Sequence, residues 1–132
     1  ATAVGMGVKI TVVLTDNRGY GCINRLQMGT GGAEFNNLYA HTNVGPIAID
    51  FVAHAAAMGA QATKVASIAE LEEALALARK ATRTTVIVID TDPYPTPGAG
   101  GHFWDVAVPE VSPRHEVNEA RARYEAALKE RR

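Results

Sequence analysis

One cysteine, Cys22, stands among 132 residues, so no disulfide can form within the chain. A reducing, cytoplasmic setting is the expectation that follows. Neither sign of charge dominates, with 13 lysines and arginines against 14 aspartates and glutamates. That balance removes the electrostatic reason to expect nucleic acid or an anionic membrane as a partner. No run of about 18 apolar residues is present, which speaks against a helix that crosses a bilayer. The opening Ala-Thr-Ala-Val-Gly-Met-Gly lacks the basic start of a signal peptide. Internal repeats and low-complexity stretches are missing too. What is there is 47% hydrophobic, which suits a single globular domain with a core.

Strand-like and helix-like segments alternate along the chain, which predicts an α/β fold with a parallel sheet. Ala1 to Met6 reads as the end of a helix, closed by Gly5 or Gly7. On this ground the chain is expected to be the C-terminal piece of a longer protein. Ile10 to Leu14 is almost wholly apolar and β-branched, as in a strand covered on both faces. Gly21 to Gln27 can begin a helix, and Gly29, Gly31 and Gly32 interrupt it. Pro46 is placed as the first residue of a helix that carries Phe51, Val52, Ala55 and Met58 and stops at Gly59. Ala62–Val65 is a short strand. Ser67-Ile-Ala-Glu70 forms a capping box for a helix with Ile68, Leu71, Leu75 and Ala78 on its apolar face. Thr84 to Ile89 is a second buried strand. A long connection over 93–113 has no periodicity, and loops of that length are usually functional or disordered. A terminal amphipathic helix over 115–130 carries Val117, Ala120, Tyr124 and Leu128.

The informative segment is Lys9-Ile-Thr-Val-Val-Leu-Thr-Asp-Asn-Arg-Gly-Tyr-Gly21. It is a strand that ends in Asp16-Asn17 and turns at Gly19 and Gly21. Ligands of open α/β sheets bind at the carboxyl ends of strands. Asp and Asn offer hard oxygens of the type that Mg²⁺ and Ca²⁺ prefer. Taken alone, Asp-Asn-x-Gly is also a common turn.

The neighbouring residues favour the first of these. Asp16-Asn17-Arg18-Gly19 resembles the second half of the thiamine diphosphate signature, which begins with Gly-Asp-Gly and ends in Asn-Asn at a strand end. Gly19 to Gln27, together with Gly100-Gly-His-Phe-Trp-Asp-Val-Ala-Val-Pro-Glu-Val-Ser112, extends the resemblance to thiamine diphosphate-dependent enzymes over essentially the whole chain. It is closest to the branch that opens a polyhydroxylated cyclic 1,2-dione in myo-inositol breakdown. The resemblance implies a three-layer, flavodoxin-like cofactor domain, truncated on its N-terminal side. It implies thiamine diphosphate and Mg²⁺ as cofactors, with the Asn17 side chain and the Gly19 carbonyl as metal ligands. Asp16 stands where the family has its first Asn. Tyr20, Gly21 and Ile23 are placed beside the cofactor, although Tyr20 and Ile23 equally suit core packing.

The aspartate of Gly-Asp-Gly and the glutamate that activates the cofactor are not in this chain. The main catalytic residue is therefore expected outside it, and the fragment alone is expected to be inactive. The implied partners are the remainder of the parent chain, a second subunit and a small-molecule substrate. His102, Phe103 and Trp104 lie among small residues and suit a lid or substrate contact. Glu34, Asn36 and Asn37 could hydrogen-bond a polyhydroxylated substrate or form an ordinary polar loop. Cys22 is expected to be a buried, inert thiol, and Asn24 and Arg25 to face solvent or a neighbouring subunit. The four histidines, 41, 54, 102 and 115, are not spaced as a metal cluster. Two other functions fit part of the pattern: an acetolactate synthase-like or 2-oxoacid decarboxylating enzyme, and a non-catalytic flavodoxin-like domain in which Asp16-Asn17 is only a turn.

Overall fold

The computed structural model describes residues 1–42, 45–95 and 106–130. They divide into two compact units: Ala1–Asn17 with Ala48–Asp92, and Arg18–Ile47 with Pro93–Arg132.

The first unit holds the sheet. Its elements are α1 (Thr2–Gly5), β1 (Thr11–Asp16), α3 (Phe51–Ala57), β2 (Gln61–Val65), α4 (Ile68–Lys80) and β3 (Thr85–Asp90). The strands are all parallel in the order β1-β3-β2, so β3 is central. This is the expected α/β architecture with helices on both faces of a parallel sheet. Ile87 and Ile89 of β3 share one face with Val65 of β2, and Ala74 and Ala78 of α4 pack on them, flanked by Leu71 and Leu75. Two alanines on the inner side of α4 let its backbone lie close to the sheet. The opposite face turns Val12, Leu14 and Val86 toward α3. A cavity of about 380 Å³ opens there, lined mainly by Val4, Ile10, Val12, Leu14, Phe51 and Met58.

Local signals explain the helix ends. The Ser67 hydroxyl accepts from the Glu70 amide at 3.2 Å, and the Glu70 carboxylate accepts from the Ala66 amide at 2.9 Å. The capping pair forms, although Glu70 reaches one residue further back than a capping box requires. The helix expected from Pro46 starts only at Phe51. Asp50 caps it, its carboxylate accepting from the Ala53 amide at 2.8 Å. An aspartate that satisfies an orphan amide is a stronger start than a proline that merely tolerates one. At the far end Gly59 takes a φ of +86°, and its amide and that of Ala60 close the last turn onto Ala56 and Ala55.

Two further expectations fail in this unit. β1 is not buried on both faces: Ile10, Val12 and Val13 are 43%, 38% and 41% exposed. The strand pairs with β3 along one edge, and among the described residues no strand pairs along the other. Ile68, assigned to the apolar face of α4, is exposed because it lies in the first turn, before the helix reaches the sheet core.

The second unit contains α2 (Gly21–Gly29), a 3₁₀ turn (Tyr39–His41) and α5 (His115–Glu130). Val117 and Ala120 of α5 bury against Val108, with Tyr124 alongside. Arg121 donates to the Val108 carbonyl at 2.8 Å and to Glu125 at 2.8 Å, and lies over the Tyr124 ring. The end of the long connection is thus fastened to α5. His102, Phe103 and Trp104 lie outside the described residues.

Candidate functional site

The carboxyl end of β1 carries the first group of site residues. Asp16 is buried, and its carbonyl accepts from the Thr91 amide at 2.8 Å, just beyond β3. Asn17 follows it, half-buried. Asp90, in register with Asp16 on the neighbouring strand, forms an ion pair with Lys64 at 2.9 Å. Two carboxylate-bearing strand ends therefore lie side by side, as expected where a polar ligand meets a parallel sheet.

The second group begins at Arg18 and lies in the other unit. Gly19 and Leu38 form an isolated antiparallel bridge. Its hydrogen bonds are made by the residues on either side: the Tyr39 amide donates to the Arg18 carbonyl at 2.8 Å, and the Tyr20 amide donates to the Asn37 carbonyl at 2.7 Å. In this type of pair the central residues turn their own amide and carbonyl away from the partner. Accordingly, among the described residues no backbone hydrogen bond ends on the Gly19 carbonyl. Gly19 has a φ of +151°, and a Cβ built there would lie 2.4 Å from the Asn37 carbonyl oxygen and 2.8 Å from the Leu38 Cα. Only glycine fits that approach.

α2 starts immediately afterwards, with the Asn24 amide donating to the Tyr20 carbonyl at 2.9 Å. Gly21 is buried in this turn. Tyr20 and Ile23 are 68% and 52% exposed, so within their unit neither packs in a core. Two other expectations are overturned here. Cys22 is exposed rather than buried. Asn24 is fully buried rather than facing solvent. Arg25 donates to the Pro93 carbonyl at 2.7 Å, which holds it partly buried against its own unit. Helix phase explains the set: Gly21 and Asn24, three residues apart, share the inner side, and Cys22 and Ile23 fall on the outer one.

The buried Asn24 leads to a group that the sequence did not reveal as a unit. Its Nδ2 donates to Glu34 Oε1 at 2.9 Å. The other carboxylate oxygen of Glu34 lies 3.7 Å from His41 Nδ1. One turn along α2, Gln27 accepts from Asn37 Nδ2 at 2.6 Å and donates to the Ala33 carbonyl. Glu34 and Asn37 are thus engaged inside the unit, while Asn36 is exposed at a φ of +51°. The signal that could have found this group is the pair Asn24 and Gln27, polar residues at i and i+3 on one helix face.

Among the described residues no group of three or more His, Cys, Asp or Glu side chains could hold a metal ion. Asn17 carries a side-chain amide oxygen, and Gly19, in the other unit, carries a carbonyl turned away from its bridge partner. Both are neutral hard oxygens, which suit a divalent cation whose charge is balanced by a phosphate ligand.

Residues 1–89 match the family described as thiamine pyrophosphate enzyme, C-terminal TPP binding domain, and the chain belongs to that family. The parallel sheet and the strand-end Asp16-Asn17 agree with this membership. Among curated proteins it is similar to 3D-(3,5/4)-trihydroxycyclohexane-1,2-dione hydrolase 2 of Bacillus cereus, with 39% identity over 126 residues, 90% of this chain and 20% of the relative. The 3D-(3,5/4)-trihydroxycyclohexane-1,2-dione hydrolase of Bacillus anthracis is also 39% identical over 126 residues, with the same coverage of each chain. The protein of that name from Halalkalibacterium halodurans is 37% identical over 120 residues, 90% of this chain and 19% of the relative. The chain therefore spans about a fifth of the length of the relatives it matches. No described helix is long and apolar enough to cross a membrane.

Proposed function

We propose that this chain is the C-terminal cofactor-binding part of a thiamine diphosphate- and Mg²⁺-dependent hydrolase. The intact enzyme would cleave a carbon–carbon bond of trihydroxycyclohexane-1,2-dione and release 5-deoxyglucuronate. The substrate follows from the name of relatives that match 90% of the chain. The observation that carries the cofactor reading is Gly19, a glycine-only position whose carbonyl is turned out of its own bridge, two residues after Asn17.

In this reading the Asn17 amide oxygen and the Gly19 carbonyl would hold Mg²⁺, whose charge would offset that of a diphosphate. When bound, thiamine diphosphate supplies a carbon nucleophile and an electron sink for carbon–carbon cleavage. Tyr20, Gly21 and Ile23 would line the approach to it: the glycine keeps the backbone low, and the exposed Tyr20 ring and Ile23 side chain would shield the cofactor from water. His102, Phe103 and Trp104 remain the proposed lid or substrate contacts. The upstream aspartate and glutamate come from the rest of the parent chain. The intact enzyme would work as a homo-oligomer in the cytoplasm.

The test uses the full-length parent. Asn17→Ala should abolish most of the Mg²⁺-dependent cofactor binding seen by calorimetry, and most turnover of the dione. Asn17→Asp should be milder, since it keeps an oxygen at the same place. Normal cofactor dependence in both variants would overturn the metal assignment, and turnover of a 2-oxoacid in place of the dione would overturn the substrate.

A further inference from the structure

Asn24 is the least expected residue of the second unit. It is 0% exposed, and its Oδ1 is buried without a hydrogen-bond partner. A buried acceptor without a partner is costly, so an apolar residue on this helix face would give the more stable packing. Its Nδ2, by contrast, is well used, bonded to Glu34 at 2.9 Å. Gln27 holds the same loop at Ala33 and Asn37. Two polar side chains of α2 thus grip residues 33–37 at three points, and the next residues, 37–39, make the bridge to Arg18–Tyr20.

From this arrangement we infer that Asn24, Gln27 and Glu34 are positioning residues that aim the Gly19 carbonyl. The bridge alone is two hydrogen bonds long and would fray. It stays in register because the loop behind it is fastened to the helix that Gly19 and Tyr20 introduce. Leu38, 3% exposed, seats the middle of the strap, and the close approach at Gly19 passes any shift of residues 37 and 38 directly to the Gly19 backbone. Asn24, Gln27 and Glu34 would therefore act on the cation through the backbone. The inference rests on the assignment of Gly19 as a metal ligand, and the experiment separates the two.

In the full-length parent, Glu34→Ala and Glu34→Gln are compared with Asn17→Ala. Three quantities are measured: Mg²⁺ affinity by calorimetry in the presence of thiamine diphosphate, hydrogen–deuterium exchange at the amides of Tyr20 and Tyr39, and melting temperature. Glu34→Ala should weaken Mg²⁺ binding roughly tenfold, as loss of an outer-shell partner does. It should also speed exchange at those two amides, with the rest of the protein unchanged. Glu34→Gln keeps an acceptor for Asn24 Nδ2 and should restore both. Unchanged affinity and exchange in Glu34→Ala would overturn the inference. So would equal loss in both Glu34 variants, or loss that accompanies faster exchange throughout and a lower melting temperature. If Asn17→Ala itself binds Mg²⁺ and cofactor normally, the metal assignment fails, whatever the Glu34 variants do to Tyr20 and Tyr39.

Discussion

β1 and β3 lie side by side in register, and their sequences are close: Thr-Val-Val-Leu-Thr-Asp against Thr-Val-Ile-Val-Ile-Asp. Their surroundings are opposite. Ile87 is 0% exposed, and its partner on the same face, Val13, is 41% exposed. The aspartates that end them reverse the order, since Asp16 is buried and Asp90 is exposed and paired with Lys64. Strand-forming composition is shared by the two, so it does not decide burial. The number of paired edges and the reach of α4 do. β3 has a strand on each side and α4 over its end, and β1 has one strand and little cover.

Substitutions can break or sharpen this contrast. The largest effect is expected for Ile87→Ala, which empties a fully buried site and should lower the unfolding free energy by about 3 kcal/mol. A denaturant titration of the chain reads this as an earlier midpoint at constant slope. Val13→Ala, beside it on the same face, should cost roughly 1 kcal/mol or less, because much of its side chain is already in water. Equal losses at the two positions would mean that β1 is covered in solution. Val13→Lys should leave the midpoint close to that of Val13→Ala, and should reduce concentration-dependent association in sedimentation velocity. The smallest effect belongs to the strand ends. Lys64→Met removes an ion pair whose side chains are about half exposed, 49% and 47%. It should change stability by no more than about 0.5 kcal/mol. A larger loss would show that Asp90 depends on Lys64 to stay beside the buried Asp16.

Features governed by near neighbours were legible in the sequence. The Ser67–Glu70 cap, the stop at Gly59, the strand at 85–90 and the helix at 115–130 each depend on residues within a turn or two. The Asp16-Asn17 strand end was legible for the same reason. What escaped was set by distant partners. Asn24 is buried because Glu34, ten residues on and beyond a glycine-rich stretch, returns to meet it. Cys22 is exposed because the same turn of α2 spends its inner side on Gly21 and Asn24. The late start of α3 came from two local signals in competition, Pro46 and Asp50, of which the residue with a hydrogen bond to offer prevailed. The exposure of β1 follows from sheet order, which the composition of a strand does not record.

The rim of β1, unpaired among the described residues, has a consequence for the chain taken alone. From Thr11 to Thr15 it presents a stretch with no charge and no proline, the devices that natural edges use to refuse a partner. The rim of β2 is likewise unpaired among the described residues. Two different open rims give each molecule a valence of two, and joining the β1 rim of one copy to the β2 rim of the next is a head-to-tail operation that need not close. Growth of that kind has no natural stopping size. Concentration, more than folding free energy, would then govern how long the separated chain remains in solution.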